Sequence, residues 1–241
     1  TVLMSFKKGM KEHIQSLESY LLSNILKGKK VVNIDKKNNY YIIHLDDSSS
    51  IEADRVILAS PAYDSAEILK ELDKEITDIL KTIPYPPLSV VAFGFKKEQI
   101  GFGTALYGFL IPYREKRKIL GTLFDSTIFP NRAPEGYVLL RTMIGGRRFP
   151  ELAILPDEKL IDTTLSELRN ILKIKGDPLF IKIFRWEKAI PQYELGHEEK
   201  LKRIEQSLLK FPGLYLTGNA YRGVSVNDCI EKSLKLAGRL L

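Results

Sequence analysis

The end of the chain reads GNAYRGVSVNDCIEKSLKLAGRLL (218–241), and it follows a strand-like run, LYLTG (214–218). A strand that enters a glycine-rich bend and then an amphipathic helix leaves backbone amides without partners at the helix N-terminus. Such a terminus favours negative charge. The stretch therefore predicts a tight corner at which an electron-rich group would be stabilised.

Two interpretations of this corner stay open from the residues alone. In the first, Gly218 and Gly223 only provide tight turns, and Asn227 and Asp228 favour the first helical turn. In the second, the amides of residues 224–226 have no partners and face an electron-rich acceptor. The N1 and C2 carbonyl edge of a flavin is such an acceptor, because its reduced form carries negative charge that these amides stabilise.

Composition places the chain among globular proteins. It has 241 residues, of which 44% are hydrophobic and 28% charged, and no apolar stretch approaches the roughly 18 residues of a membrane span. The single cysteine, Cys229, excludes an internal disulfide and favours a reducing compartment. The net charge of +7 is typical of lysines spread over a solvated surface, and it also suits an acidic membrane surface or an anionic substrate. Nucleic acid is not expected as a partner, since no basic run is interleaved with aromatic residues.

The hydrophobic periodicity predicts an α+β fold with a substantial, mainly antiparallel sheet and flanking helices. The predicted helices span 6–27, 62–82 with a break near Asp73, 157–172, 197–211 and the terminal segment. The predicted strands are KKVVNIDKK (29–37), YYIIHLDD (40–47), ADRVILAS (53–60) and runs within 83–95, 106–112, 117–126, 136–146, 178–186 and 214–218.

Common catalytic signatures are missing. The sequence has no cluster of Cys or His at metal spacing, no Gly-x-Ser-x-Gly and no phosphate-binding Gly-Lys-Ser/Thr loop. The residues alone therefore predict no catalytic side chain and no metal ligand.

Two motifs carry a resemblance to a known family. RWEKAIPQYELGHEEKL (185–201) and GNAYRGVSVNDCIEKS (218–233) resemble the C-terminal part of the protoporphyrinogen and coproporphyrinogen oxidases, which are FAD-dependent and amine-oxidase-like. The resemblance extends over nearly the whole chain. Its other carriers are SFKKGMKEHIQSL (5–17), KKVVNIDK (29–36), EADRVILASPA (52–62) and FPNRAPEGYVLLRTMIGG (129–146).

One part of the family pattern is absent from these residues. The Gly-x-Gly-x-x-Gly unit that holds the FAD pyrophosphate is not present, and the first residue is Thr1. The expectation is a C-terminal portion in which 1–82 and 184–241 belong to the FAD-binding domain and 83–183 form the substrate-binding domain. Such a portion is expected to be inactive by itself and not to retain FAD.

The resemblance also implies site residues. Those on the cofactor side are Val31, Ala59, Ser60, Pro61, Trp186, Val224, Ser225 and Val226, and those on the substrate side are Tyr107, Leu110, Leu123 and Met143. Trp186 equally suits a core aromatic at a strand end, and the substrate set equally suits a plain sheet core. Arg147, Arg148 or Arg222 would steer the substrate's propionates.

The reaction that the resemblance implies is oxidation of a porphyrinogen to a porphyrin in haem biosynthesis. FAD accepts hydride and O2 is the electron acceptor. Protoporphyrinogen IX and coproporphyrinogen III both remain open as substrates. The alternatives are another flavin oxidase, acting on an amine or a carotenoid, and a non-catalytic module for a hydrophobic ligand. The expected location is cytoplasmic, with peripheral membrane contact and a homo-oligomer left open.

Overall fold

The structure is a computed structural model that describes residues 4–101 and 103–240, without the side chain of Ser23. The helices are α1 (Lys11–Leu21), α2 (Ala62–Ile68), α3 (Lys74–Lys81), α4 (Asp125–Ile128), α5 (Pro150–Ala153), α6 (Asp157–Leu172), α7 (His197–Leu208) and α8 (Val226–Leu240). The strands are β1 (Val31–Lys36), β2 (Tyr41–Leu45), β3 (Ser50–Ala53), β4 (Val56–Leu58), β5 (Leu88–Lys96), β6 (Gly108–Leu110), β7 (Ile119–Phe124), β8 (Tyr137–Gly145), β9 (Phe180–Trp186) and β10 (Leu214–Leu216). Short 3-10 turns occur at Leu22–Asn24, Lys97–Gln99, Tyr113–Glu115 and Pro130–Arg132.

The chain divides into two compact units. The first comprises Thr1–Ile25 and Pro86–Ala189, and the second Leu26–Tyr85 and Ile190–Leu241. The segment before Leu26 thus groups with the large sheet rather than with the unit that contains β4 and β10. Which unit serves a cofactor and which a substrate stays a prediction.

The first unit is built on an antiparallel sheet with the strand order β6-β7-β8-β5-β9. Alternate residues of its central strand β5, namely Val91, Phe93 and Phe95, are fully buried, as the two-residue period of a strand requires. They belong to one apolar core with Leu160 and Leu168 of α6. The helix predicted at 157–172 is confirmed, and it covers one face of the sheet.

The second unit contains the meander β1-β2-β3 and the parallel pair β10-β4. Residues of both sheets and of α2, α3 and α7 share one core. The predicted break near Asp73 is confirmed, because the Asp73 carboxylate accepts a hydrogen bond of 2.8 Å from the amide of Ile76 and caps α3. With its parallel pair and otherwise antiparallel sheets, the protein has the predicted α+β fold.

Two predicted elements are shorter than expected. The helix predicted over 6–27 covers only Lys11–Leu21, because Gly9 adopts φ +93° and closes a turn onto Phe6, which a helix cannot include. None of its residues is buried, so the predicted apolar face exists but is exposed. The strand predicted over 53–60 is reduced to β4 (Val56–Leu58), and the amide of Val56 donates to the carbonyl of Gly213 at 2.8 Å.

No helix among the described residues combines the length and the apolar character needed to cross a bilayer. Within the same residues, no group of three or more His, Cys, Asp or Glu side chains is arranged to hold a metal ion.

Candidate functional site

Two parallel strands of the second unit end at the same edge. Leu58 of β4 lies opposite Leu216 of β10, and the amide of Thr217 donates to the carbonyl of Leu58 at 3.0 Å. Each strand then turns towards a helix, β4 through 59–61 into α2 and β10 through 217–225 into α8. The crevice beyond the carboxyl ends of parallel strands is where α/β sheets bind ligands. The terminal corner therefore lies at such an edge.

The two turns approach each other closely. Gly218 adopts φ +123°, and a Cβ placed on it would lie 3.7 Å from the carbonyl oxygen of Ala59. The predicted residues Ala59, Ser60 and Pro61 and the start of the corner are thus neighbours. Val31, at the start of β1, lines one groove of about 610 Å³ together with Ala59 and Ser60. The structure brings these cofactor-side residues together.

The corner ends in a capping box at the start of α8. The amide of Asp228 donates to the Ser225 hydroxyl at 3.1 Å, and the amide of Ser225 donates to the Asp228 carboxylate, also at 3.1 Å. The amide of Cys229 then makes the first helical bond, to the carbonyl of Ser225 at 3.0 Å. Ser225 is therefore the N-cap residue of α8.

This capping box corrects one expectation. The amide of Ser225 was expected to be free, and it is not, because Asp228 three residues later accepts its hydrogen. Among the described residues, the amides of Val224 and Val226 have no acceptor within hydrogen-bonding distance. Their side chains are 40% and 54% exposed. The corner thus presents unpartnered amides at Val224 and Val226 beside exposed apolar side chains, which suits a flat, apolar group with an acceptor edge.

Gly223 makes the capping box sterically feasible. It adopts φ +107°, and a Cβ there would lie 2.3 Å from Cβ of Asp228. Any side chain at position 223 would therefore collide with the residue that caps the helix.

The predicted substrate-side residues lie on the first unit. In the register of the sheet, Leu110 pairs with Gly121, Gly121 with Met143, and Met143 with Val90. Residues that pair across neighbouring antiparallel strands point to the same face. The row therefore shares one face, opposite to the face that packs on α6. Leu123 lies two residues after Gly121 and joins this face.

Trp186 belongs to the same face of the same sheet. It pairs with Leu88, two residues before Val90, and its ring stacks on Phe184 with the centroids 6.2 Å apart. Leu110 and Trp186 are 75% and 47% exposed, so Trp186 is not the core aromatic of the alternative interpretation. Tyr107 precedes β6 and is also exposed. Its carbonyl accepts a hydrogen bond of 2.9 Å from the amide of Phe124, the last residue of β7. The result is an open face on which these apolar side chains lie beside the charged residues Arg141 and Lys182.

The predicted steering arginines are held by neighbours. Arg222 pairs with Glu198 at 2.9 Å and with Glu205, and both carboxylates raise its pKa further. Arg148 donates to the carbonyl of Ile111 at 3.0 Å. The charge of Arg222 is thus compensated by two carboxylates of α7, which disfavours a role in steering.

Known proteins resemble this chain in sequence. A family model described as flavin containing amine oxidoreductase matches residues 2–241. The chain belongs to that family. Its relatives include the coproporphyrinogen III oxidase of Bacillus subtilis (strain 168), 29% identical over 93% of this chain and 48% of that protein. The chloroplastic protoporphyrinogen oxidase of Oryza sativa subsp. japonica is 30% identical over 98% of this chain and 47% of its own length.

Solved structures agree on the fold. A crystal structure named "Putative protoporphyrinogen oxidase from Exiguobacterium sp. 255-15" has a TM-score of 0.84 at 24% identity and covers 98% of this chain and 51% of its own. Cyclohexylamine oxidase from Brevibacterium oxydans IH-35A has a TM-score of 0.71 at 14% identity, over 96% of this chain and 53% of that one. The chain spans about half the length of the curated relatives it matches. The resemblance predicted from the two motifs is confirmed.

Sequence reasoning missed two residues of the corner, namely Tyr193 and His197, and it named Asp228 for the first helical turn without its capping contact. The signal for Asp228 was present in Ser225-x-x-Asp228, which is the spacing of a capping box. Tyr193 and His197 lie in AIPQYELGH, a motif that was used only for the resemblance. The hydroxyl of Tyr193 accepts a hydrogen bond from the amide of Gly223, about thirty positions later in the sequence. No local sequence pattern reveals a contact over that separation.

Replacing Gly223 by Ala should lower the free energy of unfolding by about 1–3 kcal/mol, because the variant combines a disfavoured positive φ with the clash at Asp228. Gly238→Ala is the matched control, since a Cβ at this position of α8 meets nothing within 4 Å. We expect the control to be neutral or slightly stabilising. Urea unfolding followed by circular dichroism measures both, and equal stability of Gly223→Ala and the wild type would contradict the steric argument.

The capping box should also respond to acid. Hydrogen bonding from the Ser225 side chain, and then from its amide, lowers the pKa of Asp228 below its ordinary value of 3.8. A depressed carboxyl pKa contributes stability above pH 3.8, and that contribution is lost as the pH falls through the folded-state pKa. The stability difference between wild type and Asp228→Asn should therefore be constant above this pH and shift against the wild type below it. Denaturant titrations at a series of pH values measure the difference, and a difference independent of pH would contradict the linkage.

Proposed function

We propose that this chain is part of an FAD-dependent oxidase that converts a porphyrinogen, protoporphyrinogen IX or coproporphyrinogen III, to the porphyrin in haem biosynthesis, with O2 as electron acceptor. The observation that carries the proposal is the identity of the sequence relatives. The two named above are a coproporphyrinogen III oxidase and a protoporphyrinogen oxidase, and each aligns with more than nine tenths of this chain. The amine oxidases, in contrast, share the fold of this chain at only 14% sequence identity.

The residues of the second unit fit an FAD. The amides of Val224 and Val226 are unpartnered donors at a helix N-terminus, where a reduced flavin's negative charge is stabilised. The groove lined in part by Val31, Ala59 and Ser60 supplies further surface in the same unit. Pro61 ends the turn that follows β4 and is the N-cap residue of α2. Ser225 fixes the start of α8 through the capping box. When bound, FAD supplies the hydride acceptor.

The first unit suits a flat apolar substrate. Leu110, Leu123 and Met143 share a face of the five-stranded sheet, and Leu110 packs over Gly121, where a Cβ would lie 3.0 Å from a Leu110 methyl carbon. Tyr107 lies at the start of β6, and we keep Trp186 as the aromatic that packs near the flavin. Such a surface binds and orients a macrocycle and excludes water. Oxidation of a methylene bridge needs few acid–base groups, so these apolar residues act by positioning.

Arg147 and Arg148 remain as the basic residues proposed for the substrate's carboxylates. Arg148 is oriented by the Ile111 carbonyl and by the ring of Tyr113, whose centroid lies 5.4 Å from the guanidinium carbon. Both arginines follow β8, the strand that carries Met143. Opposite charges near an apolar slot favour encounter with an anionic substrate.

A substrate comparison tests this function. The complete polypeptide that carries these 241 residues is loaded with FAD and given protoporphyrinogen IX, coproporphyrinogen III or cyclohexylamine. We expect porphyrin fluorescence and peroxide with at least one porphyrinogen, and no peroxide with the amine. Peroxide with the amine alone would replace the proposal by an amine oxidase. Absence of both bound flavin and turnover would leave a non-catalytic ligand-binding module.

A charge on the apolar face tests the substrate side. Met143→Lys should lower porphyrinogen turnover at least tenfold while FAD stays bound, because a desolvated charge beneath an apolar ligand is costly. Ile154→Lys places the same charge at an exposed apolar position of the same unit and should leave turnover unchanged. Product fluorescence and the flavin spectrum report the two effects. Unchanged turnover in Met143→Lys would remove this residue from the binding face.

A further inference from the structure

The motif AIPQYELGH (189–197) contributes two rings to the corner that the proposed function does not use. Tyr193 lies in the loop before α7, and His197 is the first residue of that helix. Their rings are stacked, with the centroids 4.1 Å apart and the planes inclined by 13°. His197 is only 7% exposed, so the ring of Tyr193 stacks on a buried partner.

The hydroxyl of Tyr193 bonds both ends of the turn 219–223. It donates to the carbonyl of Asn219 at 2.7 Å and accepts from the amide of Gly223 at 3.1 Å. A phenol can do both at once, since it has one donor hydrogen and acceptor lone pairs. Burial raises the pKa of Tyr193 above its ordinary value, so the hydroxyl keeps its hydrogen.

The rest of the turn is held from the same side. Nε2 of His197 lies 3.3 Å from the carbonyl of Tyr221, and Arg222 pairs with two carboxylates of α7. The thiol of Cys229 lies 3.7 Å from the carbonyl of Gly223. The turn therefore has few internal bonds and many bonds to the Tyr193–His197 pair and α7. Its shape depends on these external contacts.

The next amide along the chain after this turn is the unpartnered amide of Val224. We propose that Tyr193 is a positioning residue that, supported by the ring of His197, sets the turn 219–223 and so aims the free amides of Val224 and Val226 at the flavin. This inference rests on the proposed function, because it takes a flavin as the group that meets those amides. Its structural half, the bracing of the turn, does not depend on any ligand.

Amide hydrogen exchange tests the bracing without flavin. Tyr193→Phe keeps the stacked ring and removes both hydrogen bonds. We expect the Gly223 amide to exchange about tenfold faster, the factor that corresponds to the loss of one net hydrogen bond. Tyr215→Phe is the matched control. It removes a tyrosine hydroxyl from β10 of the same unit, for which the described residues provide no hydrogen-bond partner, and it should leave the exchange unchanged. Unaltered exchange in Tyr193→Phe would overturn the bracing.

The complete FAD-loaded polypeptide tests the positioning. Tyr193→Phe should bind FAD about tenfold more weakly and shift the flavin reduction potential to a more negative value, because misaimed amides stabilise the reduced, anionic flavin less. It should lower kcat for the porphyrinogen with KM unchanged. Tyr215→Phe should show none of these changes.

The outcomes separate the two ideas. Faster exchange with unchanged affinity and potential would show that Tyr193 braces the turn but positions nothing, which overturns the inference. A wild-type protein that binds no FAD would overturn the proposed function and the positioning role together. In that case the exchange experiment still decides whether Tyr193 holds the turn.

Discussion

The candidate site depends on the parallel pairing of β4 with β10. These strands are three residues long each, yet their register places Leu58 opposite Leu216 and brings two chain reversals to one edge. The approach of Gly218 to Ala59 follows from that register. A slip of one residue would turn the side chains of β10 to the other face and carry Gly218 away from Ala59. The apolar core shared by both strands with α2, α3 and α7 fixes the register.

Local signals in the sequence predicted much of the fold. The break at Asp73 and the extent of α6 were predicted correctly, since a capping aspartate and a 3.6-residue period are encoded within a few positions. The start of α1 was not, because Gly9 closes a turn whose partner Phe6 is itself apolar and suits the helical pattern. β3 was missed because SIEA is short and half polar. Its pairing with β2 depends on tertiary structure, which the local sequence does not show.

The candidate site was predictable only in outline. The glycines and the helix start were visible, but the assumption of free amides failed at Ser225, whose amide Asp228 occupies. Alternation identified two faces of the five-stranded sheet, and only the strand order shows that Leu110, Met143 and Trp186 share the face opposite α6. The role of Tyr193 needed the folded chain, because its hydroxyl meets Asn219 and Gly223 across a loop and a helix.

The wide separation of β4 and β10 along the chain has a consequence for biosynthesis. β4 ends at Leu58 and its partner begins at Leu214, with nearly the whole first unit translated between them. At about 5–20 residues per second, a ribosome needs on the order of 10 s to make that interval. Throughout that time β4 carries an unpaired edge and Val56 and Leu58 lack part of their cover. The second unit therefore completes its folding only after β10 has been translated.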